Sequence, residues 1–155
     1  MIACGPGLES PPAVIRRESG ASEAASRLNE QLEEFVQHYA APRLEILVPE
    51  IISLVRAATD VEMASVSHET AAHALRLALL LPNSLPIPEI SPDPDGDIAF
   101  DWSGKSGKMF SASIDRTGRI AYAGRFGESS KVHGVEQLSN SLPQEILRGI
   151  EKATE

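Results

Sequence analysis

Cysteine is all but missing from this chain of 155 residues, and the one thiol, Cys4, has no partner for an internal disulfide. A fold held by internal disulfide staples is excluded, and an intracellular, cytoplasmic setting is the expectation. Long apolar runs are missing too. The longest, Leu77 to Leu81, is far short of the roughly 20 residues a helix needs to span a bilayer. The opening MIACGPGLESPPAVIRRE has no apolar stretch behind a basic start, so it does not read as a secretory signal. Basic residues are in deficit, 14 against 22 acidic, for a net charge of −8. That balance disfavours general nucleic-acid binding, in which lysines and arginines neutralise phosphates and release counterions. Also absent are a G-x-S-x-G elbow and any glycine-rich loop of the dinucleotide or P-loop type.

The charge that is present is unevenly placed. Residues 1–96 carry 6 Lys and Arg against 14 Asp and Glu, whereas residues 97–155 carry 8 of each. Between positions 105 and 131, Lys105, Lys108, Arg116, Arg119, Arg125 and Lys131 face only Asp115 and Glu128. Such cations keep sheet turns and edges soluble, or they form a docking patch.

Residues 1–19 mix proline, glycine and charge with no period and are expected to form a disordered leader ahead of one α+β domain over 20–155. From Ser22 an amphipathic helix is expected, with Leu28, Leu32, Phe35, Val36 and Tyr39 on one side and Pro42 at its end. A second is expected from Pro49, placed in the first turn, to about Ala58. A third is capped by Ser67 and buries Ala71, Ala74, Leu75, Ala78 and Leu79, a stripe that Leu77, Leu80 and Leu81 widen, before Pro82 stops it. Residues 22–81 are thus helical. A proline-rich strap follows over 82–96, extended and poor in backbone donors.

Residues 97–123 then alternate. Ile98, Phe100, Trp102, Phe110, Ile114, Ile120 and Tyr122 share one face across turns at GKSGK and DRTG, which specifies a three-stranded antiparallel meander, with a short further strand near Val132. The N-terminal helices pack on that meander. A closing helix over 142–153 is capped by Ser141, with Leu142, Ile146, Leu147 and Ile150 inward.

The succession LPNSLPIPEISPDPDGDIAFDW, FSASID, GRIAYAGRFG, VHG and LPQEI resembles a family of small uncharacterised bacterial proteins. In that family a PEI-S-PDPDG-like strap precedes a strand ending in Trp, and a YAG segment precedes a VHG segment. The resemblance spans roughly residues 68–152 and brings no established activity. What it implies is an association with mobile or toxin–antitoxin-like loci.

Candidate chemistry is sparse. The carboxylates of DPDGDIAFD fail the calcium-loop pattern, because glycine falls at the fourth position and Gly104 stands where a bidentate Glu belongs. The histidines His38, His68, His73 and His133 form no ligand spacing, and neither a metal nor a cofactor is expected. His133 could pair with Glu136 or Asp101 as acid and base, or simply bond a loop backbone. Arg125 and Phe126, flanked by glycines past the third strand, suit a partner anchor, the alternative being a Phe tucked under its loop. The expected function is a non-enzymatic protein-binding module, one component of a toxin–antitoxin or defence-type pair. Its interaction candidates are Lys105, Arg119, Arg125, Phe126 and His133. The competing readings are a small enzyme centred on His133 and a weak nucleic-acid contact through the basic turns.

Overall fold

The computed structural model describes residues 42–57 and 65–155. The expected leader and the helix from Ser22, with Cys4 and His38, lie outside the described residues. Three helices are described: α1 (Pro42–Arg56), α2 (His68–Leu80) and α3 (Gln144–Thr154). Five strands, β1 (Glu89–Pro92), β2 (Ile98–Ser103), β3 (Met109–Ile114), β4 (Arg119–Arg125) and β5 (Lys131–Gln137), form one antiparallel sheet in the order β1-β2-β3-β4-β5. The class is α+β as expected, but the sheet has five strands instead of three.

The first extra strand comes out of the proline strap. Asp93 N–H donates to Asp97 O at 2.9 Å, and in the register Ile90↔Phe100 and Pro92↔Ile98 that parity turns the nitrogens of Ile90 and Pro92 away from β2. Pro92 therefore occupies a ladder position whose N–H would have no partner in the sheet, which is where a strand tolerates proline. The second extra strand is not short. β5 holds seven residues in unbroken register with β4, from Arg119↔Gln137 to Arg125↔Lys131.

Alternation sorts the sheet into a covered and an open face. Ile98, Phe100, Trp102, Phe110, Ala112, Ile114 and Ile120 are buried on one side, with Tyr122 half-buried beside them. Neighbouring rings step across that face: Phe100 to Trp102 at 6.3 Å between centroids, Trp102 to Phe110 at 6.2 Å, and Phe110 to Tyr122 at 5.9 Å. Large residues pair with small ones, Phe110 with Gly124 and Tyr122 with Gly134, so the layer stays level enough for a helix to lie on it. Trp102 Nε1 donates to Pro86 O at 3.0 Å and ties the strap to this layer.

All three helices contribute to one core with that face. α2 starts where its cap dictates, Ser67 Oγ accepting from Thr70 N–H at 3.0 Å. Of the expected broad stripe Ala71, Ala74, Leu77, Ala78 and Leu81 are buried, joined by Thr70, while Leu79 is exposed and Leu75 and Leu80 are half-buried. α1 corrects the helix expected from Pro49: it starts at Pro42 and carries Pro49 in its interior. Leu44, Leu47 and Ile51 are buried on one stripe that runs past the proline, and Pro49 is exposed. Burial of that stripe offsets the proline's cost, and the Glu45 carbonyl left without its donor belongs to an exposed residue that water reaches. In α3 Pro143, not Ser141, holds the cap position, and Ile146, Gly149, Ile150 and Ala153 are buried, with Leu142 and Leu147 only partly so.

Candidate functional site

The sheet is electrically polar along its strands. The turns at one end bring together Asp93, Asp95 and Asp97 of the β1–β2 connection with Asp115 of the β3–β4 connection. Asp115 organises its turn: Oδ1 accepts from Thr117 N–H (2.7 Å), Thr117 Oγ1 (2.7 Å) and Arg119 N–H (3.0 Å), while Gly118 supplies the required positive φ of 77°. Burial pushes Asp115 up, but those hydrogen bonds together outweigh it and hold its carboxyl below the usual range. Asp97 goes the other way. Burial, then the charges of Asp115, Asp93 and Asp95, raise its pKa.

A raised folded-state pKa means that Asp97 binds its proton more tightly in the native chain than in the unfolded one. Its penalty is absent below the ordinary value of 3.8 and grows as pH rises through the raised value. Asp97→Asn is therefore expected to unfold at higher urea than wild type at pH 7, with the gap closing when both are measured near pH 3.5. A wild-type advantage at pH 7 would show that Asp97 is stabilising as a carboxylate. Asp115 contributes with the opposite sign, stability present above 3.8 and lost as pH falls through its lowered value.

The other end of the sheet is basic. Arg125 is the last residue of β4, not a loop residue beyond it, and pairs with Met109 and Lys131. Its Nη2 donates to Gly107 O at 3.4 Å, so the Lys105–Gly107 turn lies beside the β4–β5 hairpin. Lys105 and Arg125 are exposed, while Phe126 is half-buried, with Lys152 Nζ 5.7 Å from its ring centroid. Phe126 is both tucked against the core and open at its rim. Arg119 does not join this group. It starts β4, six residues from Arg125, which places it roughly 20 Å away at the acidic end.

His133 lies in β5, two residues into the strand that follows the 126–130 loop. Its side chain is exposed and belongs by alternation to the open face, whereas Glu136, three residues on, falls on the covered face. Asp101 shares the open-face row Asp101–Ser111–Ala123–His133, but three strand spacings put about 14 Å between the two backbones. Neither proposed acid–base pair is brought together.

Between the edge of β5 and α3 runs a cleft of about 400 Å³. Tyr122, Phe126 and Val132 give it an apolar floor, and Lys131, Arg148 and Lys152 a basic rim that Glu145 interrupts. Glu145 is engaged with Arg148 at 3.4 Å, the one ion pair among the described residues. Burial, with Glu136 and Glu145 nearby, pushes the Tyr122 phenol up, so it adds no negative charge at neutral pH. Lys131 belongs to the basic run visible in the sequence. Lys152 and Arg148 do not, because on the polar face of a terminal helix they are indistinguishable from ordinary solvated charge. No helix among the described residues is long and apolar enough to cross a membrane, and no group of three or more His, Cys, Asp or Glu there could hold a metal ion. No family model, curated protein or solved structure matches the chain.

Proposed function

We propose that the domain is a non-enzymatic protein-binding module that receives an acidic partner at the β4–β5 hairpin end of its sheet. The observation that carries this reading is the convergence of Lys105, Arg125 and Phe126, with Lys131 next in register, on a chain whose net charge is −8. A local patch opposite in sign to the whole molecule steers a complementary partner and discourages others. An aromatic beside arginine supplies the desolvated anchor such interfaces need. The separation of His133 from Glu136 and Asp101 favours this reading over acid–base catalysis. On the family resemblance, the partner is the cognate member of a toxin–antitoxin or defence-type pair.

Copurification from the native cell followed by mass spectrometry identifies the partner, and charge reversals then test the surface. Lys105→Glu with Arg125→Glu is expected to leave stability within about 0.5 kcal/mol of wild type and to weaken capture, most clearly at low salt. Arg119→Glu, at the far end, should capture as wild type does. Equal capture by the double variant and wild type at both salt concentrations would exclude this docking surface.

A further inference from the structure

The two edges of the sheet are not equivalent. β1 is four residues long, carries Pro92, is flanked by Pro88 and Pro94, and has α1 packed on it. Each of these features blunts an edge against further pairing. β5 has seven residues, no proline, no break in register, and no strand beyond it among the described residues. Phe126 N–H donates to Ser130 O and Leu138 N–H to Gly118 O, both at 2.8 Å. By that parity the even-numbered residues of β5 bond to β4, and Lys131, His133, Val135 and Gln137 turn their backbone N–H and C=O groups to the free side.

This edge, open among the described residues, borders the cleft beneath α3. A strand added to β5 continues the sheet and sends alternate side chains to the covered side, over Phe126 and Val132 and towards Lys152. The remaining side chains of an added strand fall on the open face beside Lys131, His133 and Val135, the last 51% exposed. Neither lysine has a carboxylate partner among the described residues, and the one carboxylate on the rim is already engaged with Arg148.

We propose that β5 takes up an extended acidic peptide as a sixth strand, its carboxylates meeting Lys152 on the covered side of the sheet and Lys131 on the open side. This rests on the docking reading above and specifies its ligand. Main-chain hydrogen bonds supply affinity, and the cleft selects the side chains. The partner's recognised segment is strand-forming, free of proline and acidic on both faces.

The probe is a fluorescent peptide of repeated Glu-Glu-Thr-Thr, which as a strand carries carboxylates on both faces, titrated by anisotropy into the full chain. Three comparison peptides accompany it: the same sequence N-methylated at alternate residues, the same sequence with Lys for Glu, and a scrambled, proline-interrupted version of equal charge. Binding is expected for the first alone, with the amide resonances of Lys131, His133, Val135 and Gln137 shifting most. Lys131→Glu with Lys152→Glu should weaken it by about tenfold or more. His133→Pro, which removes an outward N–H and leaves the β4 ladder intact, should weaken it comparably while circular dichroism stays unchanged. Should that variant misfold, the N-methylated peptide asks the same question of the unaltered protein. Equal binding of the N-methylated or proline-interrupted peptide would overturn strand addition, and so would shifts lying away from β5 or no binding at all. If the Lys105/Arg125 reversals abolish capture of the native partner while the peptide fails here, the docking surface stands and the sixth strand falls.

Discussion

Phe110→Ala is expected to lower stability by about 3–5 kcal/mol, the range for a large aromatic removed from a core that cannot close behind it. Phe110 is fully buried, with ring neighbours Trp102 at 6.2 Å and Tyr122 at 5.9 Å. Two of the positions against it are glycines, Gly124 beside it in the sheet and Gly149 above it in α3. Glycine has no side chain to swing into the vacated space, so most of the void persists and its lining loses contacts outright. Met109, one residue earlier, points to the open face and is 45% exposed, so Met109→Ala should stay within about 0.5 kcal/mol of wild type. Paired urea melts check both. If the two variants melt alike, the division of the sheet into covered and open faces is wrong.

Gly149→Ala separates local from tertiary reasoning by the sign of its effect. In an isolated helix, alanine in place of glycine is favourable by about 1 kcal/mol. In the folded chain, however, a Cβ on Gly149 would overlap Cε2, Cδ2 and Cζ of the Phe110 ring. The ring cannot retreat, being held between Trp102 and Tyr122, so α3 must lift from the sheet. The expected result is a net loss of about 1–3 kcal/mol, the usual scale of overpacking a tight core. The strain should vanish in a Phe110→Leu background, where Gly149→Ala is expected to be neutral or stabilising. A double-mutant cycle by urea denaturation reads the coupling directly. Stabilisation by Gly149→Ala alone would show that α3 does not lie on Phe110.

Much of the architecture was legible because it is local. Ser67 announces α2 through one hydroxyl positioned to accept from the third residue on. The 97–123 meander follows from alternation and from turn residues such as Asp115 and Gly118, whose backbone demands are short-range. Where expectation and structure differ, a distant contact decides. Pro49 reads as a helix boundary by its own chemistry, yet Leu44, Leu47 and Ile51 carry α1 through it because the core takes up their stripe. Pro92 reads as an obstacle to pairing, yet β1 pairs because the register turns its missing donor outward.

The candidate site shows the same division. By itself the sequence determined the class of the fold, the covered face of the central strands and the basic character of residues 105–131, since each depends on side-chain type and spacing along a few consecutive residues. It could not determine that Arg119 stands apart from Lys105 and Arg125, that His133 and Glu136 occupy opposite faces, or that Lys152 comes to rest over Phe126. Those facts depend on strand register and on where α3 lies. Both are set by packing between residues far apart in the chain, with Gly149 seated on Phe110 as the contact that places the helix and, with it, one wall of the cleft.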